Sequence, residues 1–181
     1  MRIKDRETWK LFVYQALYPA VLGSLLYDAL HIRAGWGPLQ LLELSITFLY
    51  VIDCLHVYAD WRGRATPLDI LSNALIATAL GIAYWQASDY HLRWAYLTLV
   101  GITAIEFVFN LARWGRIKQM FNRSWPVVVL DLGLAAIFLC LALLLSDLRH
   151  LTWEVAWLSW LPAAMYAVYA FTLHLPRKAT S

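Results

Sequence analysis

Apolar residues dominate six stretches of the chain, and polar residues gather between them. The stretches cover roughly residues 9–28, 38–58, 67–87, 93–113, 125–146 and 152–173. Each holds about 20 residues, the length that carries an α-helix across a hydrocarbon core of ~30 Å. The connections are short, so consecutive helices are expected to lie side by side and antiparallel. The pattern predicts an all-α integral membrane protein, a compact bundle of about six transmembrane helices. Residues 1–181 form one polytopic domain in this reading, with no room for a soluble one.

Composition agrees. Of the 181 residues, 61% are hydrophobic and 15% charged, against about half and a quarter in a soluble domain. Ten tryptophans and ten tyrosines fall largely near the ends of apolar runs, where amphipathic rings favour the headgroup level. The first run follows Arg2, Lys4, Arg6 and Lys10. It lacks an A-x-A-like cleavage site and is read as a retained helix rather than a signal peptide. Cys54 and Cys140 both sit in apolar segments and offer neither a disulfide framework nor a metal motif.

Charge placement gives the orientation. Lysines and arginines crowd the N-terminus, the second connection (Arg62, Arg64), the fourth (Arg113, Arg116, Lys118, Arg123) and the C-terminus (Arg177, Lys178). The other three connections carry one each: Arg33, Arg93 and Arg149. Cytoplasmic segments hold the positive excess, so both termini are expected in the cytoplasm of a multi-pass protein of the cell (inner or plasma) membrane. The net charge of +3 calls for no nucleic-acid partner. The basic connections suit anionic lipid, a soluble cytoplasmic partner or a second copy of the chain.

The three outer connections resemble one another: Asp28-Ala-Leu-His31-Ile-Arg33, Asp89-Tyr-His91-Leu-Arg93 and Asp147-Leu-Arg149-His150. Three tandem helical hairpins would produce that recurrence, and so would convergence on ordinary turn residues. Pro19 in the first segment and Pro162 in the sixth are expected to kink their helices. Ala74, Ala77, Ala79 and Gly81 in the third permit close helix approach.

One pattern occurs twice. Ile52-Asp53 is followed by Ala59, Trp61, Arg62 and Arg64, and Ile105-Glu106 by Ala112, Trp114 and Arg116, with the same spacing from acid to Ala to Trp. Each acid lies within an apolar run. Glu43, Thr47, Tyr50, Asp53, His56 and Asp60 step by three or four residues along one face of the second helix. Thr103, Glu106, Asn110 and Arg113 repeat this on the fourth. The third helix opens at Thr66-Pro67 and carries Asp69 and Asn73; the fifth carries Asp131. Alternating helix direction places Asp53, Asp69, Glu106 and Asp131 in the cytoplasmic half of the membrane.

A carboxylate in a hydrophobic segment is costly and normally meets a partner or water. The candidate seam is Asp53, Glu106, Asp69, Asp131, His56, Asn110, Asn73 and Glu43. Arg62, Arg64, Arg113, Arg116, Lys118 and Arg123 form a candidate rim for lipid or partner. Two uses of the seam stand against each other. The acids can line a path for protons or a cation in a channel or transporter. They can instead bond between helices, or pair with snorkelling arginines, in a membrane-embedded assembly subunit. Asp53, His56 and Asp60 do not make a metal set, because zinc wants more nitrogen or sulfur ligands. The chain carries no phosphate-binding loop and no nucleophile elbow. No catalytic residue and no cofactor is assigned.

Overall fold

The computed structural model describes residues 8–30, 37–61, 66–112, 125–145 and 151–174. Among the described residues all regular structure is helical. A π-helical stretch, Phe12–Leu17, leads into α1 (Tyr18–Leu30). α2 is Pro38–Trp61, α3 Pro67–Ser88, α4 Leu92–Ala112 and α5 Trp125–Leu144. The short α6 (Trp153–Leu158) precedes α7 (Trp160–His174). These helices fall on the six apolar stretches of the sequence. Three stretches, Pro38–Leu55, Pro67–Ser88 and Leu92–Ala112, are long and apolar enough to cross a membrane, and Val129–Leu144 is an apolar part of α5.

The prolines act where the sequence places them. Pro19 has no N–H, and its ring would clash with the carbonyl four residues earlier in an α-helix. Just before it the helix widens, and the Tyr18 N–H closes onto the Val13 carbonyl, five residues back. Such π-turns often mark functional positions. Pro162 likewise cannot bond back toward Leu158, and the last helix breaks at Ser159. That break is pinned. Ser159 Oγ lies 2.9 Å from Ser45 Oγ, and Trp160 Nε1 donates to the Leu41 carbonyl at 3.1 Å, both on α2.

Helix ends are equally local in origin. Thr66 and Asp69 form a capping box at the start of α3, each side chain bonding the other's backbone N–H. At its end Tyr90 adopts φ 64°, and His91 N–H reaches the Gln86 carbonyl at 2.7 Å. That closure satisfies a terminal carbonyl and turns the chain sharply into α4.

α2, α3, α4, α5 and α7 each pack on the next, and α7 returns to α2, closing a ring. The π-stretch and α1 lie against α3, and α1 also against α2. Small residues set the spacing. Ala77, Ala83, Ala87 and Ala95 are fully buried, and a Cβ at Gly81 of α3 would meet Val21 Cγ1 of α1 at 3.2 Å. The outer faces are apolar, with Leu55, Trp85, Val108, Leu143 and Val168 among the most exposed side chains. Among the described residues Ser45, Thr47, Asp53, Ser72, Asn110, Asp131 and Ser159 are polar and buried.

Candidate functional site

Every member of the ring supplies a polar side chain to one region of its interior, and so does the first helix. The centre is Asp53 on α2, buried to 3% exposure. Its two carboxyl oxygens meet two phenols. Tyr18 Oη donates to Oδ2 at 2.7 Å, and Tyr166 Oη of α7 donates to Oδ1 at 2.9 Å. The sequence allows arginines as partners for these acids; at Asp53 the described partners are hydroxyls, and no lysine or arginine among the described residues acts on it.

α1 is joined to α3 at one asparagine. Asn73 Nδ2 donates to Tyr14 Oη at 2.7 Å, while the Asn73 main-chain carbonyl lies 3.1 Å from Tyr18 Oη. Tyr14 and Tyr18 are four residues apart across the π-to-α junction, and their rings lie 6.2 Å apart. Tyr50, fully buried on α2, donates to the Tyr18 carbonyl at 3.1 Å.

Two further acids complete the region. Ser72 Oγ of α3 donates to Glu106 Oε2 of α4. Asn110 Nδ2, one turn on from Glu106, donates to Asp131 Oδ2 of α5 at 2.7 Å, and both residues are buried. Glu106 interacts electrostatically with Asp53, Asp131 and Tyr166. Glu106 thus lies in the field of carboxyl groups on α2 and α5, and each of the three acids bonds its own hydroxyl or amide partners. Burial of these groups is tolerable because each has hydrogen-bond partners.

The other candidates lie elsewhere. Asp69 is held in the capping box, with Oδ2 2.6 Å from both the Thr66 N–H and Thr66 Oγ1. Glu43 sits ten residues before Asp53 on α2, about 15 Å along the axis, and its carbonyl accepts from Thr47 Oγ1 at 3.0 Å. The His56 side chain lies outside the described residues, as do Arg62, Arg64, Arg113, Arg116, Lys118 and Arg123, and with them the basic rim. Of the outer turns, His91 is described and exposed; His31 and His150 lie outside the described residues.

Sequence reasoning missed Tyr14, Tyr18, Tyr166 and Ser72. The tyrosines were absorbed into the interfacial aromatic population. Their signal was position, for Tyr14 and Tyr18 stand four apart inside an apolar run, next to Pro19. The duplicated motif is only partly equivalent in space. Both acids face the interior, but Ile52 is buried and Ile105 is 43% exposed.

The chain matches no protein-family model, and neither curated proteins nor solved structures include a match to it.

Proposed function

We propose that the protein is a small multi-pass membrane protein of the cell membrane that passes protons or a cation through the interior of its helix ring. The six helical segments all span in this reading, with both termini cytoplasmic. The observation that carries it is the convergence of Asp53, Glu106 and Asp131 from three helices, with Glu106 acting electrostatically on the other two and all three bonded to phenol, hydroxyl or amide groups. Ionisable groups within a bundle are the groups proton relays and cation pathways are made of. An outer surface of leucine, valine and tryptophan around an apolar core that encloses a few bonded polar groups is an arrangement compatible with lipid.

Glu106 is the acid that acts electrostatically on both others, so it is the residue on which to test the reading. Glu106→Gln keeps the side-chain shape and an acceptor for Ser72 but removes the ionisable group. In sealed liposomes the variant is expected to lose transport by roughly a hundredfold, the scale of a positioned proton-transfer group, while melting in detergent within about 1 kcal/mol of the wild type. A folded Glu106→Gln protein with wild-type flux of protons, sodium and potassium removes the carboxyl group from the pathway.

A further inference from the structure

Tyr18 Oη is held between two acceptors. It lies 2.7 Å from Asp53 Oδ2 and 3.1 Å from the Asn73 main-chain carbonyl. A phenol has one hydrogen to donate. A peptide carbonyl only accepts, whereas a carboxyl group accepts when ionised and donates when protonated. The two states of Asp53 therefore require two settings of one O–H bond. With Asp53 ionised, Tyr18 gives its hydrogen to Oδ2. With a proton on Oδ2, the carboxyl O–H donates to Tyr18 Oη, and Tyr18 turns its own hydrogen to the Asn73 carbonyl.

Resting on the reading of the interior as a proton or cation path, we propose that the species taken up here is the proton, and that Tyr18 registers its arrival by switching its hydroxyl hydrogen from Asp53 to Asn73. One O–H bond forms on Asp53 as the proton arrives and breaks as it leaves. The phenol O–H is never broken; it rotates. In the ionised state the hydroxyl ties α1 to α2, and in the protonated state it ties α1 to α3 as well. Proton occupancy is thereby coupled to the contact between the first helix and the ring.

The same geometry disfavours a metal ion. Both Asp53 oxygens are already taken up by phenols. No group of three His, Cys, Asp or Glu side chains among the described residues is arranged to hold one. Among the described residues, the titratable groups that act on Asp53 are Tyr18 of α1, Glu106 of α4 and Tyr166 of α7, with Tyr50 and Cys54 beside it on α2. α3 presents the Asn73 carbonyl. The widened turn before Pro19 sets the register in which Tyr14 and Tyr18 hold the side chain and the main chain of this one residue.

Tyr18→Phe removes the switching hydrogen and keeps the ring. In liposomes bearing a pH gradient its proton flux is expected to fall roughly a hundredfold. Infrared difference spectra on acidification supply a second readout. The carbonyl stretch of protonated Asp53, identified by its absence in Asp53→Asn, is expected at the frequency of a hydrogen-bond-donating carboxyl group in the wild type. It should move to higher frequency in Tyr18→Phe, where the acceptor is gone. The wild-type band tests the geometry even if the variant does not insert. Unchanged flux with an unmoved band in Tyr18→Phe, or a wild-type band at the frequency of a free carboxyl group, overturns the switch. A wild type that passes sodium or potassium but not protons overturns the proton assignment and leaves the transport reading standing. A wild type that passes none of the three overturns both.

Discussion

Asp53→Asn is expected to fold and insert as the wild type does and to lose proton flux by roughly a hundredfold or more. The physical reason lies in its two oxygens. A protonated carboxyl group offers one acceptor and one donor, and an asparagine side chain offers the same pair of functions. Its carbonyl can accept from Tyr166, which donates to Oδ1 at 2.9 Å in the wild type. Its amide can donate to Tyr18 Oη, which then gives its hydrogen to the Asn73 carbonyl 3.1 Å away. The variant therefore mimics the bonding of the protonated state to both phenols and is unable to release a proton. Its melting midpoint in detergent should correspond to a change of no more than about 1 kcal/mol. Asp53→Leu makes the contrast, because it removes the carboxyl acceptor of Tyr166 and leaves Tyr18 only the Asn73 carbonyl, at a cost of roughly 1–3 kcal/mol. Equal melting of Asp53→Asn and Asp53→Leu would show that the phenols do not depend on this carboxyl group.

Tyr50→Ala is expected to destabilise the bundle by roughly 3–5 kcal/mol, the usual consequence of truncating a buried aromatic ring. Tyr50 is fully buried, its ring centroid lies 5.7 Å from that of Tyr18, and its hydroxyl reaches the Tyr18 carbonyl at 3.1 Å. It is thus the wedge that holds α1 against α2 at the depth of Asp53. Tyr50→Phe keeps the wedge and gives up one hydrogen bond, worth about 1 kcal/mol or less in a membrane setting. Unfolding of both variants in mixed micelles, monitored by tryptophan fluorescence, separates packing from bonding. A Tyr50→Ala protein as stable as Tyr50→Phe would mean that the neighbouring helices collapse into the space and the ring is not a wedge.

The helices were legible in the sequence because their length and apolarity are set by a single requirement, the satisfaction of backbone groups away from water. Asp53, Asn73, Glu106, Asn110 and Asp131 were legible as members of one region for a related reason. Polar side chains in apolar runs must face inward, and alternating helix direction brings the ends of even-numbered helices level with the starts of odd-numbered ones. Asp69 shared their depth but serves the capping box with Thr66. The Thr-x-x-acid spacing that specifies such a box was present beside Pro67, and local bonding took precedence over the seam. Glu43 shared the face of Asp53 but lies nearly three turns away, a distance that a face-based argument does not weigh. The phenols were hidden by chemistry. Tyrosine is at home at the headgroup level and in a buried polar network alike, and only the third dimension separates the two. The π-stretch before Tyr18 has no sequence signature beyond the proline that follows it, yet it sets which tyrosines reach α3.

The most direct measurement is proton flux through the wild-type chain in sealed liposomes, with a pH-sensitive dye inside and a pH gradient imposed across the bilayer. The account predicts a flux that scales with the amount of protein inserted, persists when sodium and potassium are replaced by an impermeant cation, and is abolished by Asp53→Asn. Flux no greater than that of empty liposomes, or flux that survives Asp53→Asn undiminished, would contradict it.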